Sequence, residues 1–311
     1  MSDGVWGAPS SVSPKALGMQ AADAFRGSLR ACSGHVARNA GRARSFLRER
    51  SRDPRFRLIP YDTCRIVNAL AAFATVLGLI MLVLDPQLKA WQSSIPKALM
   101  PAFRLFNEIG KCEWTLMGCA AFVLLSLVRD LRATCPRKCR HHWLRAATAT
   151  YVFVSVAFAG VVAAALKYAI GRARPSEFAD VGSLSFNFLS SNASWASFPS
   201  GHSTSIMAFA VAVALLMPRL RVACITAGFW IAFARLATGA HYPSDVVAGC
   251  ALGALVSWLL ARKLARHRLV FRFDNQGSLV AAKLGKSFAG ELLSTAPASP
   301  ARSRRASLPA R

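Results

Sequence analysis

The chain has 311 residues, 54% of them hydrophobic and only 17% charged, yet its formal net charge is +25. Soluble domains carry about 25% charged residues and disordered chains need low hydrophobicity, so neither class fits. A plain nucleic-acid binder is excluded as well, because its basic excess would not accompany long apolar runs.

In chain order, residues 1–60 come first and are rich in Arg, Ser, Gly and Ala. The first apolar run begins only at Ile66, so no cleavable signal peptide is expected. Phe25, Leu29, Cys32 and Val36 recur at helical spacing beside Arg26, Arg30 and Arg38. That pattern fits a basic amphipathic helix on anionic lipid, but the composition favours a mostly disordered tail. Six apolar blocks follow: Ile66–Leu84, Trp114–Val128, Ala146–Leu166, Ser203–Met217, Val222–Gly239 and Val246–Ala261. Spanning a bilayer takes roughly 20 apolar residues, with a range of about 17–25. The second and fourth blocks are short and must borrow flanking residues. Gly249 and Gly253 in the sixth suit close packing of helices in lipid. The residues after the sixth block are again basic, ending in an Ala/Ser/Pro/Arg-rich stretch.

The expected fold is therefore all-α, an integral membrane six-helix bundle over residues 61–265. Basic tails at 1–60 and 266–311 are expected to be largely disordered. Of the 39 Lys and Arg, 31 fall on residues 1–65, 129–145, 218–221 and 262–311, and eight on the opposite side. Cytoplasmic segments carry the excess of Lys and Arg, so both termini are expected to be cytoplasmic. Two motifs mislead. Cys135 and Cys139 with His141 and His142 have the wrong spacing for a zinc finger. Gly285-Lys286-Ser287 lacks the glycine a phosphate loop needs, since that position is Val280.

Few cations remain outside, and half of them gather in three segments. Lys167 is followed by Arg174-Pro175. Phe198-Pro199-Ser200-Gly201-His202 stands immediately before the fourth block. Arg235 is followed by His241 six residues on and Asp245 four beyond that. Taken singly, Lys167 is a snorkelling lysine and Pro-Ser-Gly a turn with a helix cap. His241 and Asp245 make an i,i+4 pair. Topology puts all of them on one face. Together they describe an anion site with a nucleophile. Lys167, Arg174 and Arg235 supply positive charge, with planar forks from the two arginines. Ser200 and the free N–H groups of a helix start favour an anion. Asp245 can fix one nitrogen of His241 so that the other attacks phosphorus, while His202 protonates the leaving oxygen. The outside acids show no spacing for a two-metal clamp.

The pattern Lys-x6-Arg-Pro, Pro-Ser-Gly-His and Arg-x5-His-x3-Asp resembles the type 2 phosphatidic acid phosphatase superfamily. That family comprises integral-membrane lipid phosphate phosphatases and vanadium haloperoxidases. The resemblance implies that Lys167, Arg174, Ser200, Gly201 and Arg235 bind phosphate oxygens. It implies that His202 is the general acid, His241 the nucleophile forming a phosphohistidine, and Asp245 its orienting partner. Ala234 departs from the family, where Ser often precedes the third-motif arginine. No metal or other cofactor is implied.

The expected activity is metal-independent hydrolysis of a lipid or polyprenyl phosphate or pyrophosphate at the outer face. A lipid-linked phosphotransferase using the same histidine is the nearest alternative, and a non-catalytic lipid-binding protein is the alternative from another class. The expected partners are the bilayer and a lipid phosphate, not nucleic acid. The expected location is a bacterial inner membrane with the site facing the periplasm. The outside segment Asp85–Glu113, with Leu99, Phe103 and Phe106 among polar residues, reads either as an interfacial lid or as packing over helix ends.

Overall fold

A computed structural model describes residues 14–48, 59, 61–129 and 136–282. The described residues form ten α-helices and one β-hairpin: α1 (Pro14–Arg48), α2 (Thr63–Val83), α3 (Leu88–Ser94), α4 (Met100–Ile109), α5 (Glu113–Val128), α6 (Pro136–Ile170), α7 (Phe178–Val181), α8 (Gly201–Leu216), α9 (Arg221–Ala237), α10 (Pro243–Ala265), then β1 (Phe271–Phe273) and β2 (Leu279–Ala281). The protein is thus mostly helical, with the hairpin as its departure from an all-α fold.

Among the described residues five segments are long and apolar enough to cross a membrane: Thr63–Val83, Lys97–Val128, Lys138–Ile170, Pro218–Ala237 and Pro243–Ala265. They cover the second, third and sixth apolar blocks entirely and the first and fifth to within two residues of their ends, and the second gains its length from α4 followed by α5. The fourth block is α8, a shorter apolar helix. Its 16 residues rise about 24 Å at 1.5 Å each, against a hydrocarbon core of about 30 Å. α8 sits at the centre, packed against α6, α9 and α10, with Thr204, Met207, Ala208, Ala210 and Ala212 buried. A helix walled by protein has no lipid-facing length to match.

Small residues set the central contact. A β-carbon on Gly253 would lie 2.2 Å from the Thr204 carbonyl oxygen, and one on Gly249 would lie 2.5 Å from that of Ser200. The backbones of α8 and α10 therefore meet where only hydrogen fits. Their N-terminal ends lie side by side, joined by the Ser200 N–H donating to the Asp245 carbonyl at 3.0 Å. α2 is different: it has no buried residue, whereas Asp85, just past its C-terminal end, is wholly buried.

The segment between α2 and α5 folds as α3 and α4 and packs on α9. Trp91 and Phe103 place their rings 5.5 and 6.3 Å from that of Phe233. Cys112 between α4 and α5 is buried.

Among the described residues, both flanking regions contain regular structure. Phe271 and Phe273 alternate inward on β1 and join Tyr151, Ala261 and Leu269 in the core. Asp274 closes the turn by accepting from the N–H groups of Gln276 and Ser278 at 2.9 and 2.8 Å. At the other end, the Asn39 amide donates to the carbonyls of Leu127 and Arg129 at 2.7 and 2.8 Å. It thereby satisfies acceptors that the end of α5 leaves open. The side chains of Phe25, Leu29 and Cys32, and residues 1–13, Cys135 and 283–311, lie outside the described residues.

The glycine contact has a direct test. Gly253→Ala should cost about 1–3 kcal/mol through overpacking, read as a lowered thermal midpoint in detergent. Gly78→Ala on α2, where a β-carbon meets nothing within 4 Å, should leave the midpoint unchanged or slightly raised. Equal midpoints for the two variants would contradict the packing account.

Candidate active site

A sharp reversal after α6 begins the site. Gly171 has φ +61°, and a β-carbon there would lie 1.7 Å from the Asn187 carbonyl oxygen, so only glycine makes this turn. Residues 172–174 then run against the loop that follows. Ala173 N–H donates to Ser185 at 3.0 Å, Arg174 N–H to Ser194 at 2.9 Å, and Ser197 N–H to the Arg172 carbonyl at 3.1 Å. This ladder fixes Arg174 relative to the start of α8.

Three cations converge. The Lys167 ammonium lies against Gly201, where a β-carbon would be 3.3 Å from Nζ. Lys167, Arg174 and Arg235 are close enough to repel one another. Among the described residues none of the three forms a carboxylate ion pair; those pairs fall elsewhere. Arg174 steadies itself by donating Nε–H to the Ala193 carbonyl at 2.9 Å. Ser200 caps α8, its hydroxyl accepting from Ser203 N–H at 3.4 Å and Ser203 Oγ–H at 2.9 Å. The first N–H groups of a helix have no intrahelical acceptor, and here they open beside Lys167. Cations without counter-ions next to a helix start attract an anion.

The two histidines stand on either side of this charge. His241 is buried between α9 and α10, with Nδ1 3.6 Å from Asp245 Oδ2, a distance beyond a formed hydrogen bond. Burial pushes its imidazole below the ordinary value to about 4, and Asp245 beside it offsets only part of that. The ring is therefore neutral near pH 7, as a nucleophile must be. His202, in the first turn of α8, lies under the end of α4: a β-carbon on Gly110 would sit 2.2 Å from its Nε2. His202 Nε2, His241 Nδ1 and Arg235 Nε are all buried and find no hydrogen-bond partner among the described residues. All eight expected site residues, Lys167, Arg174, Ser200, Gly201, His202, Arg235, His241 and Asp245, thus face one region at the N-terminal ends of α8 and α10.

The reading from sequence did not single out Arg172. It is wholly buried and all five of its N–H donors are used. Nε donates to the Ser183 carbonyl at 3.1 Å. Nη1 donates to Ser244 Oγ at 2.6 Å and Asp245 Oδ1 at 2.7 Å. Nη2 donates to Asp85 Oδ2 and the Ser183 carbonyl, both at 2.7 Å. The Tyr242 ring covers the guanidinium at 4.4 Å. Ser197 Oγ–H and Tyr242 N–H donate to Asp245 Oδ2 at 2.6 and 3.0 Å. The one hint in the sequence was Asp85 itself, an acid closing an apolar span, where charge is costly and usually has a role. Among the described residues no three His, Cys, Asp or Glu side chains cluster to hold a metal.

A family model described as the PAP2 superfamily matches residues 148–268. A lipid A 1-phosphatase of Rhizobium etli is 39% identical over 215 residues, which cover 67% of this chain and 88% of that protein. A decaprenylphosphoryl-5-phosphoribose phosphatase of Mycobacterium tuberculosis is 33% identical over 160 residues, covering 48% of this chain and 78% of the relative. Among solved structures, a transmembrane PAP2 type phosphatidylglycerolphosphate phosphatase from Bacillus subtilis aligns with 61% of this chain and 92% of its own. Its TM-score is 0.43 and its identity 18%.

The buried neutral His241 makes stability depend on pH. Unfolding returns the ring to its ordinary value of 6.5, so the unfolded chain takes up a proton that the folded one refuses. Stability is complete above that value and is lost as pH falls towards 4. The loss at pH 5 should be about 2 kcal/mol. Thermal midpoints of the protein and of His241→Gln at pH 7 and pH 5 read it: the native protein should lose more. Equal losses would contradict a neutral, buried His241.

Proposed function

The chain belongs to the PAP2 superfamily, and from that premise we propose that it is an integral membrane phosphatase. Its substrate is a lipid or polyprenyl phosphate whose tail stays in the bilayer. The observation that carries the reading is the convergence of three cations lacking carboxylate partners with two histidines at the starts of α8 and α10. A relative matched over 88% of its length is named for lipid A 1-phosphate, which makes a glycolipid 1-phosphate the first substrate to test.

Lys167, Arg174 and Arg235, with the Ser200–Gly201 helix start, hold the phosphate oxygens and stabilise the charge of the transition state. His241 Nε2 attacks phosphorus, forming the N–P bond as the P–O bond to the lipid breaks. Asp245 holds Nδ1–H once the 3.6 Å gap closes, fixing the tautomer that leaves Nε2 free. His202 gives its proton to the leaving lipid oxygen, then takes one from the water that cleaves the phosphohistidine. The chemistry relies on fixed cations and proceeds without a divalent metal. The sidedness of Lys and Arg supports cytoplasmic tails at 1–60 and 266–311, a six-span domain over 61–265 with α8 as its enclosed member, and a periplasmic site in a bacterial inner membrane.

Protein purified in detergent with a chelator present should release phosphate from at least one of lipid A 1-phosphate, phosphatidylglycerol phosphate, phosphatidic acid or a polyprenyl phosphate. His241→Ala should lose at least about 1000-fold in turnover, and Arg174→Ala about 10–1000-fold in kcat/KM. Substantial activity in His241→Ala, or activity that appears only with added Mg²⁺, would overturn the mechanism.

A further inference from the structure

Arg172 and Asp85 stand apart from the phosphate-facing residues, yet the path to the nucleophile runs through them. Asp245 can serve His241 only if its carboxylate is both oriented and ionised. Its orientation is fixed from two sides: Oδ1 takes Arg172 Nη1–H at 2.7 Å, and Oδ2 takes Ser197 and Tyr242. The guanidinium is in turn fixed by Asp85. One Asp85 oxygen takes Nη2–H at 2.7 Å and also the Ser244 hydroxyl. The other takes Ser244 N–H at 3.1 Å. Asp85 therefore grips both the guanidinium and the first turn of α10, the turn that carries Asp245.

The charge arrangement points the same way. An Arg172–Asp245 pair alone would be neutral and would weaken the hold of Asp245 on the imidazole N–H. With Asp85 as a second carboxylate, one guanidinium serves two acids, and Asp245 keeps negative charge for His241. A salt bridge that served only to tie α2 to the bundle would have no need to share its guanidinium with Asp245.

We infer that Arg172 and Asp85 are positioning residues that set the orientation of His241 through Asp245. The inference rests on the reading of His241 as the nucleophile.

The test uses the full chain in detergent and compares Asp85→Asn, Arg172→Lys, Asp245→Asn and the Asp85→Asn/Asp245→Asn double variant, with helix content checked by circular dichroism. Asp85→Asn keeps the size and one acceptor oxygen while removing the charge, so it carries the test if Arg172→Lys does not fold. Both single changes at Asp85 and Arg172 should lower kcat about 10–100-fold with KM for the lipid phosphate nearly unchanged. Adding Asp85→Asn to Asp245→Asn should cost little more, since residues acting as a unit are not additive. Nitrogen-15 spectra of histidine-labelled protein need no substrate, and His241→Ala identifies the relevant signal. The native protein should show one Nδ1–H tautomer at His241, and Asp85→Asn should show a mixture.

An unchanged kcat together with an unchanged His241 signal in folded Asp85→Asn would overturn the inference. So would a loss carried by KM, or full additivity in the double variant. A native protein that hydrolyses none of the lipids, yet whose His241 tautomer depends on Asp85, would reject the proposed function and uphold the positioning role.

Discussion

Burying a charged group costs several kcal/mol even after the surroundings relax, and at the mouth of this bundle Arg172, Asp85 and Asp245 are all wholly buried. The cost is offset only because every guanidinium donor has an acceptor and both carboxylates receive several donors. Five pieces of chain meet at that point: the end of α2, the turn after α6, the loop around Ser183, the segment before α8, and the start of α10. Removing one member would strand the others, a loss of about 3–5 kcal/mol for a broken buried pair. The active-site frame is therefore held by polar contacts, and the small-residue contact between α8 and α10 supplies the close approach that lets those contacts form.

Charge is used in two ways. Most of the +25 lies in the two flanking regions and the segments 129–145 and 218–221. Lys167, Arg174 and Arg235 differ from Arg172 in having no carboxylate ion pair among the described residues. Arg172 is saturated and structural, whereas Lys167, Arg174 and Arg235 remain electrostatically unbalanced beside an open helix start. That contrast between a satisfied guanidinium and unsatisfied ones, a few residues apart in the chain, separates the frame from the anion site.

Much of this was legible in the sequence, and for a physical reason. Apolar blocks mark helices whatever their neighbours, and Lys167, Ser200, Arg235 and His241 stand at helix ends, where local spacing determines which face they share. The rest depended on contacts between distant residues. Arg172 looks like spacer between Lys167 and Arg174, and its partner Asp85 is 87 residues away. Asn39 fixes α1 through carbonyls 88 and 90 residues on, so composition alone read that segment as disordered. The hairpin after α10 was hidden because its alternation, Phe-Arg-Phe, is only three residues long. α8 looked too short until its neighbours showed that protein, not lipid, surrounds it.

The central claim is that catalysis passes through a covalent bond from phosphorus to His241. Rapid quenching of the protein with a lipid phosphate carrying radiolabelled phosphorus, followed by peptide mapping, tests it most directly. The account predicts an acid-labile, alkali-stable label on the peptide containing His241, formed before phosphate release and absent in His241→Ala. Label on His202 or Ser200, or full turnover with no labelled protein and inverted configuration at phosphorus, would contradict it.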